Sequence, residues 1–126
     1  MADAEKKPEK IVYIVTKGRN DPEMALLPFT HAVGAQTMDV EAVVFVMASG
    51  ASIVKKGYAE GVTLSHMRPL SDLLADYFKL GGKILVCGPC IKSRGISEDD
   101  LIENAEVVGA ARLAQEVLSA NAVLTY

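Results

Sequence analysis

The chain has 126 residues, 50% of them hydrophobic and 23% charged, with a formal net charge of −3. That is enough for one domain with a real core, too little for two ordinary domains, and too apolar for a disordered tail. A mildly acidic chain with no basic stripe excludes nucleic acid as a partner, because neutralising phosphates takes clustered Lys and Arg.

Residues 1–9 carry mixed charges at Asp3, Glu5, Lys6, Lys7 and Glu9, and read as a flexible, solvated N-terminal tail ahead of a single domain over residues 10–126. The β-branched run at 10–16 predicts a buried first strand that ends in the turn Lys17-Gly18-Arg19-Asn20-Asp21. Asp21 then caps a helix with Pro22 in its first turn, running to about Met38 and bent at Pro28. Residues 40–47 predict a second buried strand, and the small residues Ala48, Ser49, Gly50 and Ala51 turn the chain out of it. Strand, helix and strand in that order imply a right-handed parallel crossover.

A short helix is expected at 52–56 and an irregular connection at 57–69, which holds His66 and Arg68. Ser71 reads as the cap of a helix over 72–80, and Gly81-Gly82 as its end. Residues 83–87 form a third predicted strand and residues 88–96 its outgoing loop. Ser97 with Asp100 resembles a capping box and predicts a helix to about Ala105. A further helix is expected at 107–120 with Val107, Val108, Ala111, Ala114 and Leu118 on one apolar face, and a last short strand at 123–126. The alternation predicts a three-layer α/β/α sandwich, flavodoxin-like in architecture, on a mainly parallel sheet of four to five strands. Its carboxyl-edge loops at 17–21, 48–52 and 88–96 should converge on one rim, where open sheets of this kind place their ligands.

Both cysteines, Cys87 and Cys90, lie on that rim. A thiol at a strand end, close to backbone N–H groups and to Lys92 and Arg94, is expected to have a lowered pKa and to serve as a nucleophile. Cys90 is open to three roles: resolving a persulfide, joining a disulfide, or packing. Arg94 either orients the outgoing loop through backbone carbonyls or stabilises a sulfur anion. Gly88 and Gly95 are expected to take backbone conformations closed to other residues, while Gly18 and Gly50, beside Arg19, allow close approach at the rim. His66 is expected to reach the rim as a helper, and His31, mid-helix, to be packed or partly exposed. The Met residues at 24, 38, 47 and 67 read as core filler. One Cys-x-x-Cys pair supplies two of the four ligands of a structural zinc site, so no metal is expected, nor any organic cofactor. The uncharged stretches 24–38 and 42–54 are interrupted by Pro28, Gly34 and Gly50 and fall short of the roughly 18 apolar residues of a membrane span. Without the apolar segment of a secretory signal, the expected location is the cytoplasm.

Cys87-Gly88-Pro89-Cys90 is a dithiol sequence of the thioredoxin type, but Val86 precedes it, it lies two-thirds along the chain, and no proline follows Pro89. The chain instead resembles the DsrE/DsrF-like family, which includes TusD-like sulfur-relay subunits. The resemblance rests on Thr16-Lys17-Gly18 and Asp21-Pro22 after the opening strand, and on Val86-Cys87, Arg94-Gly95-Ile96 and the acidic Glu98-Asp99-Asp100-Leu101. It implies a persulfide on Cys87, handed between sulfur donor and acceptor proteins, and a homo-oligomer, a trimer or hexamer with a dimer as the fallback. Two other readings stand beside this carrier: a Cys87/Cys90 dithiol redox protein, and a non-catalytic subunit that binds a ligand or partner at the rim.

Overall fold

The computed structural model describes residues 9–126, so the expected tail, apart from Glu9, lies outside the described residues. Five strands, β1 (Lys10–Val15), β2 (Glu41–Val46), β3 (Lys83–Cys87), β4 (Ala105–Val108) and β5 (Ala122–Thr125), form one sheet in the order β4-β3-β2-β1-β5. Every pairing is parallel. Central β2 is buried along Ala42, Val43, Val44, Phe45 and Val46, as a strand covered on both faces requires.

Strands β1 to β4 step in one direction across the sheet. Right-handed crossovers therefore put the intervening helices α1 (Pro22–Gln36), α2 (Leu70–Lys79) and α3 (Gly88–Ser93) on one face, and the return to β5 puts α4 (Ala110–Leu118) on the other. The larger core, with Leu26, Phe29, Leu70, Tyr77 and Ile91, fills the first face; a smaller one, Val12, Val43, Phe45 and Leu85 under Leu113 and Val117 of α4, fills the second.

Local chemistry sets most boundaries. The Asp21 carboxylate accepts from the Met24 N–H at 3.2 Å and starts α1, which runs unbroken through Pro28. Helix α2 starts at Leu70 with Pro69 as its cap, two residues before the predicted start. The Pro69 carbonyl already accepts from Asp72 and Leu73, so Ser71 lies inside the first turn and caps nothing. Gly81, at φ +89, ends that helix in the left-handed region. The Tyr77 hydroxyl accepts from the Val44 N–H at 3.2 Å and reaches the carbonyls of Ala42 and Lys83, pinning α2 to two strands. Gly82 makes room for its ring, which a Cβ there would strike.

Three expectations change beyond β3. Residues 88–93 are helical, because Gly88-Pro89 occupy first-turn positions where an absent N–H costs nothing. The predicted helix after Ser97 is a single 3-10 turn, Glu98–Asp100, although the Ser97 hydroxyl does accept from the Asp99 N–H at 3.3 Å. Val107 and Val108 belong to β4, and α4 begins only after Gly109. Helix α4 consequently turns Leu113 and Val117 inward and leaves Ala111, Ala114 and Leu118 exposed, Leu118 at 86%. Met38 is likewise on the surface, at 77%, and is no core filler.

Candidate functional site

The carboxyl ends of the strands carry the rim, and backbone contacts knit it together. Met47 N–H donates to the Val15 carbonyl at 2.9 Å, and a Cβ on Gly50 would collide with that same carbonyl. A Cβ on Gly18 would collide with the Tyr58 hydroxyl and the Ser49 carbonyl. The expected close approach at Gly18 and Gly50 is thus a packing requirement. Arg19 is consumed by the same scaffold: its guanidinium lies 4.3 Å from the Tyr58 ring centre and donates to the Tyr58 carbonyl at 2.8 Å, while its N–H donates to the Tyr58 hydroxyl at 2.7 Å.

Cys87 is the last residue of β3 and the residue capping α3, and Cys90 is the third residue of that helix. Both are free thiols and half-buried. Strand alternation turns Cys87 toward the smaller core on the α4 face, level with Val108 of β4, whereas Cys90 packs against the larger core on the opposite face. The Ala48 N–H donates to the Cys90 sulfur at 3.3 Å. Ala48 holds φ +52, a left-handed conformation uncommon for a residue with a Cβ, and by it joins the second rim loop to α3. Arg94 caps the end of α3 by donating to the Cys90 carbonyl at 3.2 Å and to the Ser93 hydroxyl at 3.3 Å.

The electrostatics reverse one expectation. Burial pushes the Cys87 pKa above the ordinary thiol value, and the neighbouring Cys90 thiol adds to the rise. The Cys90 N–H and the Arg94 charge act in the opposite direction without overcoming it. The lowered pKa expected from Lys92 and Arg94 is therefore corrected: a half-buried sulfur beside a second thiol resists ionisation more than nearby exposed cations favour it. Lys92 is exposed.

Cys87, Cys90 and Arg94 come together, and Gly95, at φ +67, takes the glycine-favouring backbone expected of it. Gly88 does not. It is the first residue of α3, buried against Val107 and Val108, with room for a Cβ at ordinary contact distance. His66 is not part of this cluster. It lines a groove of about 410 Å³ with Thr30, Val33, Gly34, Met67, Arg68 and Leu73, between α1 and α2. His31 is exposed and pairs through Nδ1 with the Tyr126 hydroxyl. Tyr58 is the rim residue that sequence reasoning missed, and the left-handed backbone of Ala48, within the expected rim loop 48–52, was unforeseen. Neither carries a local signal, since an alanine with positive φ and a scaffolding tyrosine look ordinary in one dimension.

Among the described residues no group of three or more His, Cys, Asp or Glu is placed to hold a metal ion, and no helix is long and apolar enough to cross a membrane. A family model described as the DsrE/DsrF-like family matches residues 9–126. The chain is 29% identical over 117 residues to uncharacterized protein MJ0989 of Methanocaldococcus jannaschii, covering 93% of this chain and 99% of that protein. It is 35% identical over 104 residues to uncharacterized protein MJ0760 of the same organism, covering 82% of this chain but 38% of that longer protein. Among solved structures, the ychN protein from E. coli matches with a TM-score of 0.79 and 22% identity, over 94% of this chain and 99% of that one. MTH1491 from Methanobacterium thermoautotrophicum matches with a TM-score of 0.75 and 16% identity, over the same shares. The structural likenesses establish the fold.

Proposed function

The chain belongs to the DsrE/DsrF-like family, and from that premise we propose that it carries sulfane sulfur as a persulfide on Cys87 and passes it to a thiol of a partner protein. The observation that carries this reading is the position of Cys87: a free, half-exposed thiol ending a strand at the ligand-binding edge of a parallel sheet. The Cys87 thiolate attacks the terminal sulfur of a donor persulfide, and the donor leaves as a thiolate. An acceptor thiolate then attacks that terminal sulfur and Cys87 leaves in turn. A thiol of raised pKa is scarcer as thiolate at neutral pH but more nucleophilic once ionised, which suits exchange with a docked donor.

In this reading donor and acceptor are proteins, the location is the cytoplasm, and the chain works as a homo-oligomer, a trimer or hexamer, for which the exposed apolar residues Leu118, Val123 and Leu124 offer surface. A dithiol redox protein is the second reading, favoured by the placement of both free thiols in the first turn of one helix.

The test is intact-mass measurement of Cys90→Ser protein after anaerobic exposure to inorganic polysulfide, since no dithiol can close in that variant. A gain of one sulfur that Cys87→Ser abolishes is expected. Failure to load overturns the carrier, and reversible loss of two hydrogens from wild type then supports the redox pair.

A further inference from the structure

A pure carrier has no use for a second thiol against its persulfide, and burial elsewhere would be the simplest way to keep one apart. The structure does the opposite. Cys87 holds the cap position and Cys90 the third position of one short helix, where first-turn geometry sets side chains three residues apart next to each other. Cys90 is the anchored member: its side chain packs on the larger core, and its sulfur accepts the Ala48 N–H, presented by a backbone held at φ +52. Cys87 is the member at the open end of the thinner face.

Resting on the carrier reading, we propose that Cys90 is a resolving thiol that discharges the Cys87 persulfide as sulfide, making the protein a sulfane-sulfur reductase whenever no acceptor takes the sulfur first. The Cys90 sulfur attacks the inner sulfur of the persulfide. A bond forms between the Cys87 and Cys90 sulfurs as the bond from Cys87 to the terminal sulfur breaks, and the electron pair of that bond leaves with the terminal sulfur. The Cys90 proton goes with it, so that a perthiol and a thiol become a disulfide and hydrogen sulfide. The sulfane sulfur is reduced and the two cysteines are oxidised in equal measure. A dithiol or monothiol reductant resets the pair for a second turnover.

The full chain, fully reduced, is loaded anaerobically with inorganic polysulfide, desalted at once, and followed by non-reducing intact mass and by sulfide release. Wild type is expected to lose its added sulfur on the order of tenfold faster than Cys90→Ser or more, because the attack is intramolecular. It should end two hydrogens lighter than the reduced chain, with one sulfide released per disulfide. Cys90→Ala is run in parallel and removes the thiol by a different replacement. Wild type that keeps its sulfur as long as these variants, or that forms the disulfide without matching sulfide, overturns the proposal and leaves the carrier standing. Variants that never gain sulfur overturn both.

Discussion

The two faces of the sheet are built to different depths. On one, α1, α2 and α3 bury Leu26, Phe29, Leu70, Tyr77 and Ile91 to 1% exposure or less; on the other, the nine-residue α4 covers Val12, Val43, Phe45 and Leu85 while its own Leu113 and Val117 remain half-exposed. The thin face is tied down by charge: Glu116, 8% exposed, accepts from Lys10 at 2.6 Å and from the Arg112 Nε at 2.8 Å, and Arg112 continues to Glu106 at 3.0 Å. The cysteines divide along the same line, Cys90 with the thick face and Cys87 with the thin one. A reactive sulfur needs both access and a fixed partner, and one helix start between two unequal faces supplies them.

The sharpest way to break this contrast is by truncation on each face. Leu26→Ala should cost about 3–5 kcal/mol, the range for a fully buried leucine whose cavity cannot collapse. Val117→Ala should cost about 1 kcal/mol, since a half-exposed valine loses only part of its transfer energy. Urea unfolding of both variants measures the difference, and equal losses would show that α4 contributes as much to the core as α1 does.

A smaller effect belongs to Glu116. Burial opposes its ionisation, but hydrogen bonds and charge from Lys10 and Arg112 outweigh burial and hold its carboxyl below the usual range. With the folded value depressed, the contribution is present above the unfolded pKa, about 4.3 for a glutamate, and is lost as pH falls through the folded value. Glu116→Gln should therefore cost about 1–2 kcal/mol at neutral pH, where Lys10 loses a charged partner. Stability measured down a pH series should also fall less steeply in the variant than in wild type below about pH 4; identical acid sensitivity would remove this network from the account.

The smallest expected effect sharpens the contrast at the rim itself. Iodoacetamide labelling of Cys87, followed by peptide mass, should have its pH midpoint above that of a model thiol peptide. Cys90→Ala should lower the midpoint by removing the neighbouring thiol, and Arg94→Ala should raise it by removing a favourable charge. A wild-type midpoint at or below the peptide's would reinstate the activated thiolate that Lys92 and Arg94 suggested.

What was legible in one dimension was what local chemistry writes. Strands β1, β2 and β3 are apolar, β-branched runs between turns; Asp21-Pro22 and Gly81-Gly82 are start and stop signals; and Val86-Cys87 before Arg94-Gly95-Ile96 placed the thiol at a strand end. Strand β4 was not legible as a strand. Four residues, Ala105 to Val108, are too few to display alternation, and Val107 and Val108 extended a helical pattern equally well. The β-branched pair between Asn104 and Gly109 was the available hint. The short helix α3 hid because Gly88-Pro89 signals a turn and a first helical turn alike.

The amino-acid sequence by itself determined the alternation of strands and helices, and with it a parallel sheet whose carboxyl edge carries both thiols, because strand runs, caps and crossover handedness are local or topological properties. Tertiary structure alone decided which face of α4 is buried, where His66 goes, and whether the Cys87 proton is held or released. Those outcomes depend on groups distant in the chain: on Lys10, 106 residues before Glu116, on Thr30 and Val33 beside His66, and on how deeply the end of β3 is shielded from water next to Cys90. Burial and sulfur-to-sulfur approach arise only when the chain has closed on itself, so the location of the chemistry was written in the sequence and its electrostatic setting was not.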